Sequence, residues 1–212
     1  MATAARPGGR PRGRPRSFDR GAALAAAMEV FWERGYEGAT MSDLTAAMGI
    51  NSPSLYAAFG SKEELFREAV ALYDATEGVP IARALSEEPT ARDAVATVLR
   101  ETARACTEPG RPTGCMIVIA ALNCSDANSS ASEFLSRWRR EGDVALARRL
   151  AQGVRDGDLP AGTDATAMAA FYSAVLHGMS IRARDGATRA ELVRTAETAL
   201  AAWGALIRPS AP

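Results

Sequence analysis

Six arginines, Arg6, Arg10, Arg12, Arg14, Arg16 and Arg20, face a single acid, Asp19, across the first twenty residues. That stretch carries a formal +5 in a chain of net charge +0, so charge is separated along the sequence and the remainder is correspondingly acidic. Guanidinium groups at this density attract a polyanion. The groups that make and break bonds are sparse by comparison. His177 is the one histidine, which leaves little general-base capacity, and no Ser/His/Asp order, metal cluster, phosphate-cradling glycine loop or cofactor fingerprint stands out. Cys106, Cys115 and Cys124 are spaced nine residues apart, without the CxxC spacing of zinc or dithiol sites. A non-enzymatic chain without a cofactor is the expectation, and binding is the chemistry left to explain.

Three helix starts crowd residues 40–66 and would position the polar groups there. Thr40 lies three residues before Asp43, the spacing of a capping box, and Leu44, Ala47 and Met48 follow at helical intervals. Gly49 ends that helix. Ser52 can cap the next, with Pro53 at its first position, where a missing N–H is no loss, and Leu55 and Phe59 make its buried face. Ser61, with Glu64 three residues on, opens a third helix through Leu65, Phe66, Ala69 and Val70. Two short helices joined by a tight turn, with a longer one behind, is the helix-turn-helix plan. The middle helix offers no Arg, Lys or Gln for two-point bonding to a base edge; Asn51 at the turn is its only amide, while Ser52 and Ser54 donate or accept without strong preference.

At these residues the chain resembles the TetR family of bacterial transcriptional regulators. The stretch from Ala26 to Tyr36 is similar to the family's first helix and its glycine-aromatic exit, and Thr40 to Gly49 to its second. Ser54-Leu55-Tyr56 with Phe59, and Ser61-Lys62-Glu63-Glu64-Leu65, are similar to its third helix and the start of its fourth. The resemblance implies that Ser52, Pro53 and Ala57 face base edges, and that Thr40, Ser42, Tyr56 and Lys62 hold phosphates. Prolines at 7, 11 and 15 and glycines at 8, 9 and 13 predict an extended arm over residues 1–17. Within it, Arg12-Gly13-Arg14-Pro15 resembles the core of an AT-hook, whose arginines enter a narrow minor groove; Arg12, Arg14 and Arg16 are the candidates. The same arginines could instead supply phosphate attraction without sequence preference.

A chain of 212 residues with 47% hydrophobic residues can bury one sizeable core or two small ones. The expected division is the arm at 1–17, a helix-turn-helix domain at 18–66, and an effector-binding and dimerisation domain at 67–207. From Leu65 on, helical periodicity predicts an all-α body with helices near 62–84, 92–107, 115–124, 131–156, 164–184 and 188–207. No apolar run approaches the ~20 residues that span a bilayer, and the arginine-rich start does not read as a secretory signal, so the cytoplasm is the expected compartment and no membrane partner is expected.

The resemblance extends to what the body does. In the family, the last two helices pair with their copies in a homodimer, which implicates Met168, Leu176, Leu192, Ala196, Ala199 and Trp203, although the same side chains could be internal core. A dimer would present two heads to a palindromic operator in double-stranded DNA. The family's cavity for a small-molecule effector implicates Tyr73, Leu99, Met116, Ile119, Ala120, Asn123, Phe134, Trp138, Phe171 and Tyr172, a soft apolar lining. Gly114-Cys115 resembles a subgroup containing sensors of electrophiles and oxidants, which makes Cys115 a candidate reactive thiol. Ligand-responsive repression is the implied function, with a thiol-sensing repressor or an architectural binder of AT-rich DNA as alternatives.

Overall fold

Ala23, Ala27, Phe31 and Trp32 recur at helical spacing and bury one face of α1 (Arg20–Gly38), whose N-terminus is capped by the Asp19 carboxylate accepting from the Ala22 N–H at 3.1 Å. The computed structural model describes residues 18–207; the arm expected at 1–17, with Arg12, Arg14 and Arg16, lies outside them. After α1 come α2 (Met41–Met48), α3 (Ser52–Phe59), α4 (Lys62–Glu77), α5 (Val79–Glu87) and α6 (Ala91–Ala105). A single turn, α7 (Met116–Ile119), and a 3-10 turn at Asp126–Asn128 lead to α8 (Ser129–Arg155), α9 (Ala165–Arg184), α10 (Arg189–Ala201) and the short α11 (Trp203–Leu206). The described residues contain no strand, and the fold is all-α.

Two cores organise these helices. The first joins α1 to α4 around Phe31, Leu44, Leu55, Leu65 and Phe66, with the Phe66 ring set edge-on to Phe31 at 5.0 Å. It also takes in Met116, Ala120, Ala131 and Leu135, so the head rests on α7 and the start of α8. The second core lies among α6, α8, α9 and α10, around Leu99, Leu150, Tyr172, Met179 and Leu192. Helix α4 contributes Leu65, Phe66, Ala69, Val70 and Tyr73 to the first core, on both sides of the boundary expected after residue 66.

Three helices differ from the sequence reading. The helix expected over 62–84 is broken at Gly78, because Pro80 lacks an N–H and its ring clashes with a carbonyl one turn back; it is tolerated only in the first turn of a new helix, α5. The helix expected over 115–124 shortens to the one turn of α7, and Ala120 onward turns back toward α1. The last helix, expected over 188–207, is interrupted between α10 and α11.

Candidate nucleic-acid interface and ligand cavity

The reading head is built by caps. Thr40 and Asp43 form the reciprocal box, with Asp43 N–H donating to Thr40 Oγ1 at 3.1 Å and Thr40 N–H to Asp43 Oδ2 at 3.1 Å. The Thr40 hydroxyl donating to Asp43 Oδ2 at 2.6 Å, then the Thr40 N–H, then the Arg34 guanidinium at 2.5 Å hold the Asp43 carboxyl below the usual carboxylate range. Gly49 closes α2 in the left-handed conformation at φ 65°, where a β-carbon would be strained. The cap of α3 is Asn51, not Ser52: Asn51 Oδ1 accepts from Ser54 N–H at 2.9 Å, and Ser52 already lies within the helix. Asn51, Ser52 and Pro53 all suit a helix start, and local sequence alone does not choose the register among them.

The cap and the buried pair Leu55 and Phe59 fix which face α3 turns outward. Ser52, Pro53, Tyr56 and Ala57 are exposed on it, Tyr56 to 51%, while Ser54 is half-buried. Thr40 and Ser42, at the start of α2, and Asn51, at the start of α3, are exposed as well. Lys62 is held differently from the rest. Its ammonium sits 4.4 Å from the centre of the Tyr36 ring, and burial lowers its pKa against the opposing pull of Glu37. Arg20, at the base of α1, bridges to α4 and α3: it donates to both Glu68 carboxylate oxygens at 2.8 Å and to Ala58 O at 3.3 Å, and stacks over Phe59.

A cavity of about 500 Å³ opens in the body between α4, α5, α6, α8, α9 and the segment entering α7. Ile81, Leu85, Val98, Ile117, Leu146 and Leu176 give it an apolar wall, and Tyr73 and Trp138 give aromatic faces. Polar groups converge from several helices: Asp74 and Glu77 from α4, Arg139, Glu141 and Asp143 from α8, Ser173 and His177 from α9. Burial and then the Glu141 charge raise the Asp74 carboxyl, and Glu77 is paired with Arg111. Burial lowers the His177 pKa, with Asp143 opposing the shift and Arg139 adding to it.

Of the cavity residues expected from sequence, Tyr73 and Trp138 line this space, as does Cys115. The others are elsewhere. Met116 and Ala120 are buried in the first core and Leu99 and Tyr172 in the second, Ile119 and Phe134 pack against the first, Asn123 is exposed, and Phe171 is exposed on the outer side of α9. The residues expected between subunits also require correction. Met168, Leu192, Ala196, Ala199 and Trp203 are at most 6% exposed within the chain's own second core, and Leu176 faces the cavity. The reason is rotation about α9: Ser173, Leu176 and His177 turn to the cavity, which leaves Met168, Tyr172 and Met179 for the core. Periodicity identified an apolar face but not which neighbour it meets. Asp74, Glu141 and Ser173 were missed altogether; charge at helical spacing beside Tyr73 and Trp138 was the available signal.

The thiols differ from one another. Cys106 is buried, and its pKa is pushed up to about 12 by burial and by Cys115. Cys115 is half-buried at the cavity wall, and its backbone N–H donates to Ser180 Oγ at 2.7 Å.

Comparison with known proteins follows this division of head and body. Residues 23–69 match the family model of bacterial regulatory proteins, tetR family, and residues 91–199 that of a tetracyclin repressor-like C-terminal domain. The HTH-type transcriptional repressor ComR of Escherichia coli (strain K12) is 34% identical over 191 residues, 89% of this chain and 90% of that protein. The repressor BdcR of the same organism is 33% identical over 179 residues, 84% of this chain and 85% of its own. Among solved structures, a cysteine mutant of the TetR family regulator CifR, complexed with 26bp double-strand operator DNA, is similar with a TM-score of 0.87. It shares 47% identity over 90% of this chain and 100% of that one.

Proposed function

This chain is a DNA-binding transcriptional regulator of the TetR family, and from that premise we propose that it is a homodimeric repressor released from a palindromic operator by a small hydrophobic effector. The observation that carries the effector reading is the cavity of about 500 Å³ bounded by α4, the helix whose first turn belongs to the reading head. An apolar space of that size with convergent polar groups suits a drug-sized molecule. In the operator-bound state Ser52, Pro53 and Ala57 meet base edges with Asn51 and Ser54 beside them, while Thr40, Ser42, Tyr56 and Lys62 hold phosphates. The absence of a two-point base reader on α3 leaves part of the sequence choice to the arm at 1–17, through Arg12, Arg14 and Arg16. A ligand that fits the cavity better when α4 is displaced shifts the dimer toward separated heads, and operator affinity falls by that difference in affinity.

Sequencing genomic fragments retained by the purified protein, with and without residues 1–17, tests recognition. A motif unchanged by the deletion reduces the arm to general adhesion. Effector candidates found by thermal shift should weaken operator binding, and operator should weaken theirs by the same factor. Equal ligand affinity with and without operator rules the effector reading out. The position of Cys115 on the cavity wall favours one second reading, release by covalent modification of that thiol. Mass spectrometry after mild electrophile treatment decides it, since an unmodified Cys115 in the folded protein removes the idea.

A further inference from the structure

Segment 114–128, which contains α7, is one wall of the cavity and is also tied along its length to the end of α1. Cys115, Ile117 and Val118 face the cavity, whereas Met116, Ala120 and Ala121 are buried in the core of the head. One turn of helix thus separates the two compartments. Its ties to α1 occur at three points. Trp32 Nε1 donates to Gly114 O at 2.9 Å, Tyr36 N–H donates to Ala120 O at 2.6 Å, and the Glu37 carboxylate accepts from Ser125 Oγ at 3.0 Å and Asn128 Nδ2 at 2.8 Å.

The end of α1 is shaped for these ties. Gly35 takes φ 71°, ψ 171° inside the helix, which takes Tyr36 N–H out of the helical ladder and toward Ala120. A β-carbon there would approach Ala120 O to 3.0 Å. At the other end of the contact Trp32 meets the cavity wall directly, its ring edge-on to Tyr73 at 4.9 Å. Trp32 is buried and Arg184 donates to its carbonyl at 2.5 Å, so that tie is fixed; Glu37, Ser125 and the surrounding turn are exposed, so theirs is the one that opens at low cost. Three residues after Glu37 comes Thr40, the cap of α2.

We propose that segment 114–128 is a strap that transmits cavity occupancy to α1 and thereby to α2 and α3, with Glu37 as its positioning residue. The proposal rests on the effector reading above and adds a route that does not pass through α4. A ligand that pushes Ile117 and Val118 outward carries Ala120 with them, loosens the Tyr36 and Glu37 ties, and frees the end of α1 to swing.

The neutral fluorophore N-phenyl-1-naphthylamine serves as the cavity probe, with genomic fragments retained by the protein as the DNA. On probe binding, the Tyr36 amide should exchange with solvent about tenfold faster and DNA affinity should fall about tenfold, near the low end of ordinary coupling. Glu37→Ala should keep probe affinity but lose most of the probe's effect on DNA, and Glu37→Gln, which retains an acceptor for Asn128, should recover part of it. If Glu37→Ala does not fold, Tyr36 exchange in the native sequence decides alone. DNA affinity that falls while the Tyr36 amide stays protected overturns the strap and leaves the effector cavity standing. A probe that fails to enter the cavity, or enters and changes neither measurement, overturns both.

Discussion

Leu55 and Tyr56 are adjacent on α3 and separate folding from recognition. Leu55 is fully buried, so Leu55→Ala should cost about 2–5 kcal/mol, a large fraction of the stability of an ordinary domain. Tyr56 is 51% exposed, and Tyr56→Phe should change stability by less than about 0.5 kcal/mol while weakening operator binding. Because the lost hydroxyl is neutral, the salt dependence of binding should be unchanged, and a reduced slope would assign Tyr56 another role. Chemical denaturation and binding at several salt concentrations measure both effects. His177 gives the body a pH dependence of definite sign. Burial depresses its folded pKa below the ordinary 6.5, with Asp143 opposing and Arg139 assisting. Its contribution to stability is therefore complete above that value and is lost as pH falls through the folded pKa, when the unfolded chain binds the proton more readily. The melting temperature should drop as pH falls below the ordinary imidazole value of about 6.5, and His177→Gln should flatten that decline. An equally steep profile in the variant would place the titration elsewhere.

At the scale of the helix, the cap of α3 controls the angle at which its exposed face is presented. Asn51→Ala should destabilise the protein by about 1 kcal/mol and lower operator affinity, whereas Asn51→Ser should retain most of both, since a hydroxyl also accepts from the Ser54 N–H. Equal behaviour of the two variants in denaturation would return the cap to Ser52. Elements of this kind were legible in the sequence because a cap is a contact between residues three apart: the Thr40–Asp43 box, the Gly49 stop and the Ser61 start all occur where local chemistry puts them. The start of α3 moved by one residue because adjacent side chains compete for the same role. Pro80 divided an expected single helix because apolar spacing continues across the break while the backbone cannot. The cavity was less legible. Its lining depends on how α9 is rotated between two partners, and period alone gives Tyr172, Ser173 and Leu176 equal claims to face inward. Long-range packing turned Tyr172 to α10, where its hydroxyl donates to Ala199 O at 3.3 Å, and left the other two to the cavity.

At the scale of the whole molecule, that rotation determines which surface is left for a second copy. With Met168, Tyr172 and Met179 turned inward, the outer side of α9 carries Ala167, Ala170, Phe171, Ala174 and Ile181, all exposed and recurring at helical spacing. The face is apolar, and its alanines permit close approach of a second helix. Homodimerisation through it would hold two heads about 34–36 Å apart, one turn of DNA, and the operator would be gripped at successive major grooves. Ala174 lies at the middle of this stripe, so Ala174→Glu would bring two like charges together at a dyad without disturbing the chain's own core. The expected outcome is a folded monomer: unchanged helical content by circular dichroism, half the mass by sedimentation, and operator binding reduced to that of a single head with about half the salt-dependence slope. A dimer that persists in this variant would move the subunit contact off α9. Loss of helical content together with loss of the dimer would instead mean that the two copies complete one another's fold.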